Sequence, residues 1–522
     1  MVVEVPPLQT RPKAATVGVG RHVILRPAVQ KRFVELAEPS LDDQAADLER
    51  LLAAIDDLEL RVELDAVRHL GKQLRTSDFK VTAVICDDLL IGVEPGDTSS
   101  RAFAIAFDLG TTTVVATLLD LTTGTPAAVR SMLNRQQPYG ADVISRISAT
   151  MLDPDALESL QARAHETLGQ LTGEVCEQAG VAPEEVYEIT ICGNVTMTQL
   201  ALGIDPEPLS MAPFIIASRR LPPARAADFG VRVHPLAPAF AFPALGAYVG
   251  GDIVAGLLAS GLTLDRRVRL FIDVGTNSEI ALGSNERVVA TAAPAGPAFE
   301  AAQIRCGMRA AEGAIEGVVI DGDELALEVI GDTAPVGMCG SGLVDAVAEL
   351  VRSGLLDHSG RFVPDDAARA LHPGLADRLA RVGEERVFVL AWRGDDPANA
   401  IYLSQRDVRE LQFAKASIAT GWQILLRELG VAEDEVAQVL LAGSFGSYLT
   451  PKSAIGIGLV PNLPVTRIVS AGNVAGEGAK MAALSMRERS AADAILEEVE
   501  YVELSGRADF NDLFIDQLRF PA

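Results

Sequence analysis

The sequence is short of cysteine, histidine, aromatic residues and positive charge, and each shortage removes a class of function. Its 522 residues include five cysteines, at positions 86, 176, 192, 306 and 339. The closest two, Cys176 and Cys192, stand sixteen residues apart, with no Cys-x-x-Cys pair nearby. Structural zinc and iron–sulfur clusters need three or four converging ligands, usually in tight local pairs. Neither is expected here, and the cysteines read as buried free thiols. The six histidines (His22, His69, His165, His234, His358 and His372) are scattered, so no metal–histidine catalyst is visible. Lysine and arginine number 45 against 71 acidic residues, a net charge of −26. Such a chain repels nucleic-acid backbones and anionic membrane surfaces, and no partner of either kind is expected. No uninterrupted run of 18 apolar residues offers a membrane span. The opening MVVEVPPLQTRPKA lacks the basic-then-apolar pattern of a secretory signal, so the expected location is the cytoplasm. Aromatics are only 5% although apolar residues reach 48%. The core must therefore be aliphatic, which favours α/β layers of Val/Ile strands covered by Ala/Leu helices.

At this length one core is not enough, and two to four domains are expected. Residues 1–14 read as an extended lead-in or linker remnant. A small α+β domain is expected over residues 15–97. Within it, Arg21–Pro27 reads as a strand, and Ser40 as the cap of a helix with an apolar face of Leu41, Ala45, Leu48, Leu52 and Ile55. A further helix over Asp65–Leu74 and a strand over Lys80–Cys86 follow. Glu94-Pro-Gly-Asp-Thr-Ser-Ser100 reads as a linker into the main body.

The main body repeats itself. Phe103-Ala-Ile-Ala-Phe-Asp108-Leu-Gly110-Thr111-Thr112 is an aliphatic strand running into Asp-x-Gly-Thr. Leu270-Phe-Ile-Asp273-Val-Gly275-Thr276-Asn277 is the same device 165 residues later. A second pair also matches: Gly180-Val-Ala-Pro-Glu-Glu-Val and its strand to Gly193, and Gly430-Val-Ala-Glu-Asp-Glu-Val and its strand to Gly443. Both motifs recur in the same order, which makes duplication the better account. The interval from Asp to the strand-ending Gly is 85 residues in the first copy and 170 in the second, so the second carries a large insertion. The division drawn is 98–250 for the first copy and 251–522 for the second.

Asp-x-Gly-Thr at a strand end suits polyphosphate. The strand fixes a carboxylate that can hold hydrated Mg²⁺ or orient a water. Glycine lets the backbone approach an anion, and the Gly and Thr N–H groups and the Thr hydroxyl are phosphate donors. One copy alone is a weak signal, because Asp and Thr also close ordinary turns; two copies on matched strands make the phosphate reading the stronger one. The candidate nucleotide residues are Asp108, Gly110, Thr111 and Thr112 with Asp273, Gly275, Thr276 and Asn277. One aspartate would hold the metal and the other orient the attacking water, in an order left open. Gly443-Ser444-Phe445-Gly446 would face adenosine. Gly340-Ser341-Gly342 opens a helix whose free N–H groups suit an anion, and Gly472-Asn473-Val-Ala-Gly476-Glu-Gly478 enters another; glycine there also suits close helix–strand packing.

In this order of loops the chain resembles the acetate and sugar kinase/Hsp70/actin superfamily over about residues 100–485. That likeness implies two ribonuclease-H-like lobes with ATP and Mg²⁺ between them. Ile191-Cys-Gly193-Asn194-Val-Thr-Met197, Gly296-Pro-Ala-Phe-Glu300, Cys306-Gly-Met308-Arg-Ala-Ala-Glu-Gly313, Ala442-Gly-Ser-Phe-Gly446 and Ile457-Gly-Leu-Val-Pro461 resemble, more narrowly, the reductive activators of corrinoid-dependent enzymes. The resemblance implies an ATPase that drives Co(II) corrinoid to Co(I), with a corrinoid protein or methyltransferase and an electron donor protein as partners, and a homodimer. It also implies an N-terminal [2Fe–2S] domain, whose cysteine pattern this sequence lacks. A truncated chain or a separate donor is therefore expected, and no tightly held corrinoid. Three other readings stay open: a small-molecule kinase using Asp252 as base, a chaperone that exchanges damaged cobalamin, and an activator of radical dehydratases with a cluster at a dimer interface.

Overall fold

A buried strand that ends in a glycine turn can fold straight back, whereas a return in parallel needs a crossover, usually a helix. Both solutions occur twice in the computed structural model, which describes residues 15–301 and 303–521. In the first copy, Phe103–Leu109, Thr113–Asp120 and Thr125–Leu133 form an antiparallel meander, and Val186–Gly193 lies parallel to the first of them. In the second, Arg269–Asp273, Asn277–Gly283 and Val288–Pro294 form the meander and Gln438–Ala442 takes the parallel place. Each set belongs to a six-stranded sheet. Each parallel strand is delivered by a long helix, Ala156–Ala179 or Gln405–Leu429. Both helices stop at a left-handed glycine, Gly180 (φ 65°) and Gly430 (φ 66°), where other residues would be strained. The duplicated motifs thus sit at equivalent places in two sheets of the ribonuclease-H type.

The insertion of the second copy lies between Pro294 and Gln405. It holds two three-stranded sheets and the helix Gly340–Arg352. Ile105, Phe107, Leu168 and Leu171 are fully buried in the first core, and Ile272, Ile280, Leu343 and Ile418 in the second. Each such side chain contributes about 1.5–3 kcal/mol by leaving water.

Two compact units result, and both are discontinuous. One takes residues 20–260 and 475–497, the other 15–19, 261–474 and 498–521. A division into contiguous segments at 250/251 therefore assigns the helix Gly251–Ser260 and residues 475–497 differently. Thr190 shows why residues 475–497 group with the first copy: its hydroxyl donates to the Ala479 carbonyl at 2.8 Å. The buried Arg489 meets the buried Glu188 in the same unit, at 2.5 Å.

The small α+β domain has a four-stranded sheet of Val29–Glu35, Lys80–Cys86, Leu89–Pro95 and Arg61–Val62 around Leu51, Leu74, Val81 and Ile85. Three local expectations need correction. Arg21–Pro27 carries only an isolated bridge at Arg26, and the strand begins at Val29. Ser40 does accept from the Asp43 N–H at 3.1 Å, but the helix starts only at Asp47 and Leu41 is 91% exposed. Asp43 side-chain bonds to Ala45 N–H and Arg50 hold the intervening residues in a turn instead. The helix over 65–74 is two short ones, Leu64–Arg68 and Leu70–Thr76, meeting at His69. The strand Lys80–Cys86 is as read. The lead-in 1–14 lies outside the described residues. Among the described residues no helix is long and apolar enough to cross a membrane.

Candidate functional site

The first loop, Gly110-Thr111-Thr112, is fixed by three distant side chains. A Cβ on Gly110 would overlap the Thr113 carbonyl, so the turn closes only with glycine. Asn134 Nδ2 donates to the Gly110 carbonyl at 2.9 Å, and its backbone N–H to the Thr112 carbonyl at 2.9 Å. Arg146 is fully buried and donates to the Thr111 carbonyl at 2.7 Å and the Gly140 carbonyl at 3.0 Å. Asn194, the cap of helix Val195–Ala201, donates through Nδ2 to the Thr111 hydroxyl at 2.9 Å. With its carbonyls held from behind, the loop keeps one shape before any anion arrives, which is the preorganisation a phosphate site needs. Asp108 stands half-buried at the strand end.

Asp252 lies at the start of helix Gly251–Ser260, in the same unit as the first loop. Burial, reinforced by the negative charge of Asp108, pushes its carboxyl up to about 7. Gly250 is pressed so closely against the Asn194 turn that a Cβ would lie 2.6 Å from Asn194 Cα. The helix start, the Asn194 turn and the first loop are therefore one packed assembly.

The second loop is built differently. Gly275 N–H donates to the Ser278 hydroxyl at 3.3 Å, and that hydroxyl donates back to the Gly275 carbonyl at 3.1 Å. The Thr276 hydroxyl donates to Glu300 in the turn Pro297–Glu300. Val274 N–H donates to the Ala442 carbonyl at 3.1 Å, bringing the single helical turn Gly443–Gly446 against the loop. Gly443 has φ +85°, and a Cβ there would overlap the Asp273 carboxylate. So Asp273, Gly275, Thr276, Asn277, Gly443 and Gly446 come together in one unit; Ser444 is placed by its position in that turn, and Phe445 is half-buried against the core.

Gly340 and Gly342 belong to the same neighbourhood for a packing reason. A Cβ on Gly340 would strike the Phe299 carbonyl, and one on Gly342 the Ile315 carbonyl. Ser341 stays half-buried, its hydroxyl 3.4 Å from the Cys339 thiol. Helix Gly340–Arg352 thus starts against the turn that carries Glu300.

The residues of each loop fit a magnesium nucleotide. They offer hard carboxylate oxygens, N–H and hydroxyl donors, and at Gly110 and Gly443 cradles that any side chain would fill. Mg²⁺ keeps several waters and takes one or two carboxylates plus phosphate oxygens, so a dedicated cage is unnecessary. Among the described residues no group of three or more His, Cys, Asp or Glu is placed to hold a metal ion. Cys86, Cys176, Cys192 and Cys339 are buried and Cys306 half-buried, all unbridged, which does not fit a [2Fe–2S] ligand set. Burial raises the Cys86, Cys176 and Cys306 thiols above their ordinary value, away from the thiolate a cluster needs.

Sequence reasoning passed over Arg146 and Asn134, met Glu300 only as the end of the motif Gly296-Pro-Ala-Phe-Glu300, and met Asp252 only as the base of a rival kinase. Asn194 carried a usable signal, an Asn-cap directly after a strand-ending glycine. Arg146 carried none.

Known proteins align with this arrangement. Residues 267–522 match the C-terminal domain of RACo, the ASKHA domain; residues 103–265 match the RACo middle region and 18–100 the RACo linker region. The chain is 35% identical over 443 residues to the corrinoid activation enzyme RamQ of Eubacterium limosum, covering 84% of this chain and 74% of that one. It is 23% identical over 439 residues to the [Co(II) methylated amine-specific corrinoid protein] reductase of Methanosarcina barkeri, covering 80% and 77%. The solved structure of a reductive activator for corrinoid, iron-sulfur protein superposes with a TM-score of 0.86 at 34% identity, covering 98% of this chain and 84% of that one.

Proposed function

The chain belongs to the RACo family and is a reductive activator of corrinoid proteins, and on that premise we propose that ATP held by its two repeated loops drives the reduction of Co(II) corrinoid to Co(I). The observation that carries this reading is the duplication itself: an Asp-x-Gly-Thr hairpin at the same place in both six-stranded sheets. Bound Mg·ATP supplies the free energy for an unfavourable one-electron step, in which about 59 mV corresponds to a tenfold change in equilibrium. The protein's own residues divide the rest. Gly110, Thr111 and Thr112 donate to phosphate from one loop, and Gly275, Thr276 and Asn277 from the other, with one of Asp108 and Asp273 holding the hydrated metal and the other orienting the attacking water. Gly443, Ser444, Phe445 and Gly446 line the nucleoside side, and Gly340-Ser341-Gly342 adds N–H donors.

Electrons come from outside the described residues, from a [2Fe–2S] domain preceding this segment or from a separate donor protein. The corrinoid is carried by the partner, a corrinoid protein or methyltransferase, and the working form is a homodimer in the cytoplasm. The test is titration of a Co(II) corrinoid protein with this chain, ATP, Mg²⁺ and a low-potential reductant. Growth of the Co(I) absorption band that depends on ATP is the expected result. Phosphorylation of a sugar or carboxylate panel, or release of cobalamin without reduction, would replace the reading with a kinase or a cofactor-exchanging chaperone.

A further inference from the structure

We propose that Glu300 is a positioning residue of the second phosphate loop. It holds the Thr276 hydroxyl in the absence of nucleotide and yields it to a phosphate oxygen when Mg·ATP binds. The turn Pro297–Glu300 then carries that exchange into the insertion of the second copy. This rests on the ATP reading above and deepens it, adding a way for the rest of the unit to sense the nucleotide.

A threonine hydroxyl has one proton to donate. Here it goes to the Glu300 carboxylate. A phosphate oxygen is also an acceptor, so one proton cannot serve both. Charge adds a second conflict. A phosphate at Thr276 would share that hydroxyl with a carboxylate, and two anions so close disfavour each other. Departure of the Glu300 side chain from Thr276 removes both conflicts at once.

The turn is built to respond at that end. Its beginning is tied to the loop by backbone, the Gly296 N–H donating to the Thr276 carbonyl at 2.9 Å, a bond that an arriving phosphate leaves alone. Its far end is tied to the loop by the Glu300 side chain. Left-handed residues bracket it, Gly296 at φ 72° and Ala301 at φ 54°. Glycine adopts this conformation freely, but Ala301 carries a Cβ and keeps it only where its surroundings impose it.

Those surroundings belong to the insertion. A Cβ on Gly340 would overlap the Phe299 carbonyl, and one on Gly307 would overlap the Ala301 carbonyl. Gly307 is bridged to Met338, whose N–H donates to the Cys306 carbonyl at 2.8 Å. Backbone packed this closely leaves no slack. A turn that pivots at Gly296 on losing Thr276 therefore displaces Gly307, the strand Gly337–Met338 and the start of helix Gly340–Arg352 together.

The experiment compares the parent chain with Glu300→Ala and Glu300→Gln. It measures Mg·ATP binding by calorimetry, thermal unfolding, and amide hydrogen exchange at residues 305–309 and 337–343 with and without Mg·ATP. In the parent, Mg·ATP should change exchange in both segments by at least about threefold. Glu300→Ala should bind Mg·ATP about three- to tenfold more tightly, the scale of one hydrogen bond that no longer has to be broken. Without nucleotide it should already show the exchange that the parent shows only with Mg·ATP. Weaker binding by a folded Glu300→Ala overturns the assignment, since that is the signature of a metal ligand. So does looser exchange with unchanged binding, which a merely structural role would give. If Glu300→Ala is too unstable to assay, Glu300→Gln, which keeps the acceptor and removes the charge, should still bind more tightly than the parent; equal or weaker binding overturns the proposal. A parent chain that binds Mg·ATP without any change at 305–309 and 337–343 overturns this inference alone. One that does not bind Mg·ATP overturns the ATP reading with it.

Discussion

The two copies of the Asp-x-Gly-Thr hairpin share a backbone and differ in what stands behind it. The first is wired to polar side chains from far along the chain: Asn134, the buried Arg146 and Asn194 all hold its carbonyls or hydroxyl. The second is supported mostly by close backbone approach. Asp273 meets a glycine turn at Gly443, and the side-chain bonds to Ser278 and Glu300 are local ones. The surroundings of the two aspartates differ too: the charge of Asp108 acts on Asp252, whereas Asp273 lies against Gly443. Duplication preserved the strand-to-hairpin device itself, and divergence changed what supports it.

The sharpest way to break this comparison is to neutralise each aspartate in turn. Asp108→Asn and Asp273→Asn should each lower steady-state ATP turnover by about 10³-fold, the scale of losing a main electrostatic element of a site. Thermal stability should stay within about 1 kcal/mol. Turnover that survives one of the two substitutions would mean that the loops do not act on the same nucleotide. Next in size is Arg146→Leu, which strips the buried guanidinium's donors from the Thr111 and Gly140 carbonyls and should cost about 3 kcal/mol. Hydrogen exchange should accelerate at the amides of residues 111–113 and stay unchanged at 275–277; equal acceleration in both would deny that the copies are supported differently.

Glycine substitutions sharpen the contrast at smaller cost. Gly110→Ala drives a Cβ into the Thr113 carbonyl and should destabilise by about 2 kcal/mol. Gly275→Ala places its Cβ 3.0 Å from the Asn277 carbonyl, a contact that a slight shift relieves, and should cost under about 1 kcal/mol. Denaturant unfolding of the two variants side by side checks the order.

The smallest effect concerns acid stability in the insertion of the second copy. Burial would raise the Glu349 carboxyl, but Arg352, the Ile320 N–H and Lys452 outweigh it and hold the group down at about 2, against an ordinary 4.5. Its folded value lies below its unfolded one, so its stabilisation is complete above about pH 4.5 and fades as the pH falls towards 2. Both cations are largely exposed, which limits the contribution to about 1 kcal/mol. Glu349→Gln should flatten that part of the stability curve in a pH-dependent unfolding series. An unchanged slope would place the acid sensitivity elsewhere.

How much was legible in advance follows the range of the interactions. The strands ending at Asp108 and Asp273, the helix stops at Gly180 and Gly430 and the strand Lys80–Cys86 were all readable. Aliphatic runs and positive-φ glycines announce themselves within a few residues. The helix expected from Ser40 shows the limit even locally. Its cap is present, but Asp43 had a competing choice of partners, and Leu41 found nothing to bury against.

By itself, then, the amino-acid order determined the repeated backbone device, its chemistry of carboxylate, glycine and threonine, and the family likeness those carry. Only the tertiary structure decided that Arg146 would clamp Thr111, that Gly250 would press against the Asn194 turn, and that residues 475–497 would pack with the first copy. A turn's conformation is dictated by its own residues, whereas its tertiary partners arrive from far outside it, Arg146 from 35 positions away and Ala479 from 289 positions beyond Thr190. Many distant segments could pay the slowly growing cost of closing such a loop, so it is complementary packing, not sequence proximity, that selects among them.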